Sequence, residues 1–189
     1  MLDREFWKSA RVPIARVFIV AMVLYSFAWQ RIEVPPLTSG LSLAGIALAV
    51  LGTLIRALAA GYLHKNQELA TDGIYALARH PLYLGSSLIA LGLMLVIRDP
   101  LVAVALIAVM VITYLPTIAS EEAKMAHRFP EAWPGYRDST PRVLPRIDRI
   151  GRVARGGWDA GQWRHNAEYN APLAVIATLA ALQLYRLFV

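Results

Sequence analysis

Residues 77–85 read LARHPLYLG, and an apolar run, 82–97, begins inside them. An arginine and an imidazole stand directly against a stretch that a bilayer would accept. Pro81 fixes the boundary, and Tyr83 and Gly85 follow at once. The fold turns on whether 82–97 is a core helix of a soluble protein or a helix in lipid. The rest of the chain answers that: 57% of its 189 residues are hydrophobic and only 17% are charged, well outside the balance of a water-soluble globule. Core helices of soluble proteins carry a polar face, and the apolar runs here carry almost none.

Five runs have this character: 12–29, 39–63, 82–97, 100–119 and 171–189. Crossing a hydrocarbon core takes about 20 helical residues, so the third and fifth are short and end at the headgroups. The expected fold is all-α, an integral membrane helical bundle of about five transmembrane helices, in one domain spanning 1–189. The first run is not read as a signal peptide, because QRIEVPP after it lacks a small-residue cleavage site. Asp99 and Pro100 give the fourth run a capping acid and a proline in its first turn. The link from the third run is so short that the two must be antiparallel neighbours.

The net charge of +6 is distributed by side. Lysines and arginines cluster at 4, 8, 11 and 16, at 65 and 79, and at nine positions in 121–170; the alternate segments carry only Arg31, Arg98 and Arg186. Positive loops stay in the cytoplasm. The N-terminus, the connection at 64–81 and the segment 121–170 are therefore expected to be cytoplasmic, and the C-terminus outside. The arginines track topology, which argues against nucleic acid as a partner. There is no cysteine, and the four histidines are too dispersed for a local ligand pair, so no metal site is expected.

Within 142–155, Ile147, Ile150 and Val153 recur every third position beside Arg146, Arg149, Arg152 and Arg155. An apolar stripe flanked by a cationic one suits a helix lying in the headgroup plane, in contact with anionic lipid. Arg56 lies about two turns inside the second run, at a depth where a charge either faces a cavity or snorkels to the surface.

Chemistry gathers at the cytoplasmic end. Arg79 and His80 precede the third helix, whose first amides lack helical partners, and together they favour an anion. Glu121 and Glu122 end the fourth run on the same side. Helical neighbours are about 100° apart, so one carboxylate turns inward while the other reaches solvent or a cation. Closed by Tyr75 and Tyr83, such a pocket suits a zwitterionic ligand with an aromatic group.

GIYALARHPLYLGS (73–86) followed by EEAKMAHRFPEAWPGYRDSTPRVLP (121–145) resembles the signature of the membrane methyltransferases related to isoprenylcysteine carboxyl methyltransferase and the phospholipid methyltransferases. That pattern runs G-x-Y-x-x-x-R-H-P-x-Y-x-G, then E-E-x-x-L-x-x-x-F-G, then Y and a closing P-R. The resemblance covers about 41–145. It implies an S-adenosylmethionine-dependent methyltransferase with a cytoplasmic cofactor pocket and a lipid or small amphiphilic acceptor. Carried over, it assigns the cofactor site to Tyr75, Arg79, His80, Pro81, Leu82, Tyr83 and Gly85. Gln67, Glu68, Leu69 and Ala70 lie just upstream of these, and Glu121 with Glu122 holds the methionine end. Pro130 replaces the glycine after Phe129. No basic residue stands in LPTIAS before Glu121, where carboxyl-methylating relatives would have an arginine for the substrate carboxylate. The expected acceptor is therefore neutral or amine-bearing. No general base is evident, and Arg56 is the candidate to replace the missing arginine. Two alternatives remain: isoprenylcysteine carboxyl methylation proper, and a membrane sterol-type reductase using NADPH. The reductases carry R-x-P-N-Y-x-G-E, where this chain has Leu82 and Ser86 in place of asparagine and glutamate.

Overall fold

The computed structural model describes residues 25, 34–64, 67–154 and 156–188. The expected first span, 12–29, and the placement of the N-terminus lie outside the described residues, Tyr25 apart. Among the described residues every regular element is helical.

Among the described residues four helices carry the bundle: α1 (Gly40–Tyr62), α2 (Pro81–Ile97), α3 (Pro100–Arg128) and, after two short helices, α6 (Asn170–Phe188). The short helices are α4 (Trp133–Ser139) and α5 (Ala160–His165). Three of the four long helices, α1, α3 and α6, are long and apolar enough to cross a membrane; α2 is as apolar but has 17 residues. At about 1.5 Å per residue α2 reaches only about 26 Å, short of a hydrocarbon core of about 30 Å. Large side chains such as Leu54, Val104, Ile112, Leu115 and Ile176 face outward, as expected when lipid is the solvent.

Sequence sets the helix ends. Ser39 accepts a hydrogen bond from the Ser42 amide, and Asp99 accepts one from the Val102 amide at 2.8 Å. Arg98 closes α2 in the left-handed region, φ 55°, and its guanidinium donates to Ser39 Oγ at 2.6 Å, tying the tight α2–α3 link to the start of α1.

The principal helix pair is α1 on α2. Gly52 meets Gly85 and Gly45 meets Gly92, and a Cβ on any of the four would strike the opposing carbonyl oxygen. Lipid gives helices no hydrophobic reason to associate, so close backbone contact through small residues supplies the attraction. Gly85 is thus a helix-packing residue, and its short side lets Arg56 run past α2.

This pairing fixes which ends meet. The end of α1, the beginning of α2, the end of α3 and the beginning of α6 lie together, joined by the segments that follow α3. The amides of Arg79 and His80 donate to the carbonyls of Pro141 and Arg142 at 2.8 and 2.9 Å, and that of Arg146 to Leu77 O at 3.0 Å. Asn166 Nδ2 donates to the carbonyls of Ala60 and Leu63 at 2.9 and 3.0 Å, satisfying two carbonyls at the end of α1.

The arginine-rich stretch differs from its expected form. It is a 3-10 helix over Ile147–Arg152, preceded by extended chain stitched to 77–80. A 3-10 helix has three residues per turn, so the every-third-residue stripe that reads as a long interfacial helix is aligned by this tighter coil instead. Ile147 and Ile150 are exposed upon it.

Candidate active site

A cavity of about 640 Å³ opens at the charged end of the bundle. The 3-10 turn Gly73–Ala76 brings Tyr75 to it; Gly73 takes φ 59° there, a conformation that favours glycine, and a side chain would also run into the Tyr62 ring. Pro81 in the first turn of α2 sets Arg79 and His80 outside the helix, with Leu82 and Tyr83 just inside it, and all of these line the cavity. Glu68, Leu69 and Ala70 form the approach, and Glu121 stands opposite on α3. Gln67, Gly85 and Glu122 are not in the lining.

The two carboxylates divide as the helical angle requires, and the buried one carries the framework. Glu122 has 11% of its side chain exposed, against 42% for Glu121. Arg79 Nη2 donates to Glu122 Oε1 at 2.9 Å, and Arg142 reaches both oxygens at 2.8 to 3.1 Å. Arg79 Nη1 donates to Thr140 O at 2.6 Å and to Arg137 O, and its guanidinium lies 5.7 Å from the centroid of the Trp133 ring. This alters the expected pocket: the cationic wall that reads as an anion site in the sequence is already neutralised by Glu122. The sequence places both charges at one end, and only the packing of α3 against the start of α2 shows that they meet.

Glu121 is left for the cavity. It accepts a hydrogen bond from Tyr83 Oη at 2.9 Å, and Tyr83 packs edge-on against Tyr114 with centroids 4.9 Å apart. His80 Nδ1 is 3.7 Å from Glu121, and its Nε2 is 3.4 Å from Glu122, without a hydrogen-bond partner among the described residues. Burial lowers the His80 pKa against the pull of both carboxylates, so the ring is neutral at pH 7. Burial raises the phenols of Tyr75 and Tyr136, and Tyr136 Oη donates to Tyr75 O at 2.9 Å. Both phenols stay protonated.

Arg56 also reaches this cavity and does not snorkel. Its guanidinium is held bidentate by Glu168, Nε to Oε2 at 3.0 Å and Nη2 to Oε1 at 2.8 Å, while Nη1 donates to Leu82 O and Ser86 Oγ. Arg56 and Ser86 line a second hollow too, a groove of about 340 Å³ between α2 and α6. Sequence reasoning missed Tyr114, Lys124, Met125, Trp133, Tyr136 and Glu168. Tyr114, Glu121 and Met125 share one face of α3, seven and four residues apart, and Trp133 and Tyr136 lie in the quoted signature, so these were within reach. Glu168 follows the signature by more than 20 residues and has no local signal.

A family model described as phospholipid methyltransferase matches residues 36–132, which hold α1 to α3 and most of the cavity wall. The chain belongs to the phospholipid methyltransferase family. It is 34% identical over 149 residues to the cobalt-zinc-cadmium resistance protein CzcN of Cupriavidus metallidurans, covering 76% of this chain and 67% of that one. It is 27% identical over 136 residues to the nickel-cobalt-cadmium resistance protein NccN of Alcaligenes xylosoxydans xylosoxydans, covering 71% and 62%. A further likeness, 32% over 84 residues, is to protein-S-isoprenylcysteine O-methyltransferase of Schizosaccharomyces pombe, covering 44% of this chain and 36% of the relative. The chain spans about two thirds or less of the length of these relatives. No solved structure matches it. The phospholipid methyltransferase family is one of S-adenosylmethionine-dependent membrane methyltransferases, which sets the chemical class of the enzyme and sets aside the reductase reading.

Because Glu122 is the only carboxylate on Arg79 among the described residues, Glu122→Gln leaves a buried guanidinium uncompensated. Removing one partner of a buried pair costs about 3 kcal/mol, while the exposed Arg142 adds little. We expect a loss of about that size in detergent unfolding, with Glu121→Gln near wild type.

Proposed function

We propose that the chain transfers the methyl group of S-adenosylmethionine to a neutral or amine-bearing lipid or small amphiphile, working from the cytoplasmic face of the membrane. The observation that supports this most is the pairing of hollows. The cavity at the charged end has a volume in the usual range for small-molecule sites, about 300–1,000 Å³, and it shares Arg56 and Ser86 with a groove running along the apolar helices.

The residues present suit the donor. Glu121, whose carboxylate among the described residues has only the neutral His80 within salt-bridge distance, would hold the ammonium of the methionine part and favour the sulfonium nearby. Lys124 offers a charge for its carboxylate, and Tyr75, Tyr83, Tyr114 and Trp133 offer faces for its purine. Arg79 Nε and His80 Nε2 are buried polar atoms without hydrogen-bond partners among the described residues, as expected where a polar ligand completes a site. When bound, the donor supplies an electrophilic methyl on a positively charged sulfur. The chain's own part is to orient the two reactants and to exclude water from between them.

The orientation rests on charge. The segments between α3 and α6 carry seven of the sixteen arginines, and by the positive-inside rule they and the cavity would lie in the cytoplasm, with the end of α6 outside. Exposed Ile147 and Ile150 between Arg146, Arg149 and Arg152 would then rest on the anionic leaflet. Replacing these three arginines by glutamine should weaken co-sedimentation with anionic liposomes and leave donor affinity within about twofold, since each arginine at such a surface is worth about 1 kcal/mol. Unchanged liposome binding removes the contact.

The function itself is tested by incubating purified protein with methyl-labelled S-adenosylmethionine and a total lipid extract, then identifying the labelled product by mass spectrometry. We expect label in a lipid amine or hydroxyl. Glu121→Gln should weaken S-adenosylhomocysteine binding by at least about 1.5 kcal/mol, the low end for a hydrogen bond to a charged group. Label confined to a prenylcysteine carboxylate would instead assign carboxyl methylation.

A further inference from the structure

Glu168 is a buried carboxylate outside the region matched to the family. It sits between α5 and α6, beyond the residues matched to the phospholipid methyltransferases, yet it lines the α2–α6 groove and pairs with Arg56, which lines both hollows. Its side chain is 9% exposed. Ala167, immediately before it, is held at φ 55°, a left-handed conformation that a residue with a Cβ adopts only when its surroundings enforce it.

The groove below Glu168 is amphiphilic. Ile89 and Leu93 on α2 face Ala171, Ala174 and Val175 on α6, and the polar end is formed by Arg56, Ser86 and Glu168. A chain of methylenes fits the first part and a head group the second. On the far side of Arg56 and Ser86 lies the cavity containing Tyr75, Tyr83 and Glu121.

Hydrogen-bond capacity decides which head group fits. Arg56 spends four of its five N–H donors, Nε and one of Nη2 on Glu168 and both of Nη1 on Leu82 O and Ser86 Oγ, so an anionic head would find a single free N–H and, beside it, the negative charge of Glu168. Glu168 is in the opposite condition. A carboxylate has about four lone-pair positions, and Arg56 takes one on each oxygen, leaving capacity to accept from an N–H or O–H. A buried ion pair adds little to stability by itself, and one set between a lipid groove and a polar cavity calls for a different reason.

We infer that Glu168 is the proton acceptor and head-group ligand for the methyl acceptor, an amphiphile with a protic, uncharged or amine head seated in the α2–α6 groove. The inference rests on the methyl-transfer reading and adds a residue to it. As the acceptor's nitrogen or oxygen lone pair forms its bond to the methyl carbon, the carbon–sulfur bond of the sulfonium donor breaks and its electron pair stays on sulfur as a thioether. The acceptor's proton passes to the Glu168 carboxylate, which Arg56 holds in place, and leaves to water when the product departs.

The test uses the full chain in lipid nanodiscs, with phosphatidylethanolamine, a long-chain alkylphenol and farnesylcysteine as acceptors. S-adenosylhomocysteine affinity is measured alongside. Glu168→Gln should lower kcat on the amine or phenol by at least about 100-fold, the lower range for a general base, and leave the S-adenosylhomocysteine Kd within about twofold. Glu168→Asp should recover part of the lost kcat while KM stays raised. Because Glu168→Gln leaves Arg56 unpaired, Arg56→Gln with Glu168→Gln is made as well, and should stay folded in detergent without transfer. A kcat within about threefold of wild type in either glutamine variant overturns the inference, as does preferred methylation of farnesylcysteine. Wild-type protein that binds S-adenosylhomocysteine but methylates none of the three overturns the acceptor class, and one that does not bind it overturns the methyl-transfer reading beneath.

Discussion

The Glu122 carboxylate, clasped between Arg79 and Arg142, joins three parts of the chain that are remote in sequence: the end of α3, the residues leading into α2, and the segment that follows α4. Two guanidiniums share one buried anion. Arg142 also offers its backbone carbonyl to the His80 amide, so the same short segment holds the loop before α2 by main chain and side chain together. Everything else at this end is arranged around the fixed pair. With Arg79 committed to Glu122, the neighbouring Glu121 pairs with no arginine or lysine among the described residues and turns to the cavity, and His80, pressed between the two carboxylates, stays neutral. One ion pair thus sets the charge of the pocket wall, and that charge suits a cationic donor better than an anionic one.

A second ion pair, Arg56 with Glu168, does comparable work deeper in the bundle. It is made possible by the glycine contact of α1 with α2, since Gly85 leaves room for the Arg56 stem to pass. Its donors reach α2 and its partner precedes α6, so it links three helices at the place where the cavity and the groove adjoin. Methyl transfer from a water-soluble donor to a membrane-soluble acceptor needs such a place, where neither reactant has to leave its own solvent.

Much of this was legible in the sequence because lipid is an undiscriminating solvent: a helix in it must be apolar nearly all round, and such runs stand out. The helix bounds at 40–62, 81–97 and 170–188 fall within one residue of the expected runs, and only α3 extends further, through the acidic pair to Arg128. Arg79, His80, Glu121 and Glu122 were legible as charges at one end. Their pairing was not, because it depends on the rotation of α3 against α2, which no single run reports. Sequence reading also gave Gly85 to the pocket by its place in a motif, and the structure gives it to the helix contact. The arginine stripe was read with the wrong coil, since a repeat of three is shared by an amphipathic α-helix and a 3-10 helix. Glu168 carries no pattern at all; it became visible only when its carboxylate was found on Arg56.

The cavity beside Glu121 is proposed as a site for a sulfonium nucleoside. Calorimetric titration of the detergent-purified protein with S-adenosylhomocysteine, and separately with NADPH, decides this. Saturable binding of one S-adenosylhomocysteine per chain is expected, with no heat of binding from NADPH. Saturable binding of NADPH, or silence with both, would overturn the assignment.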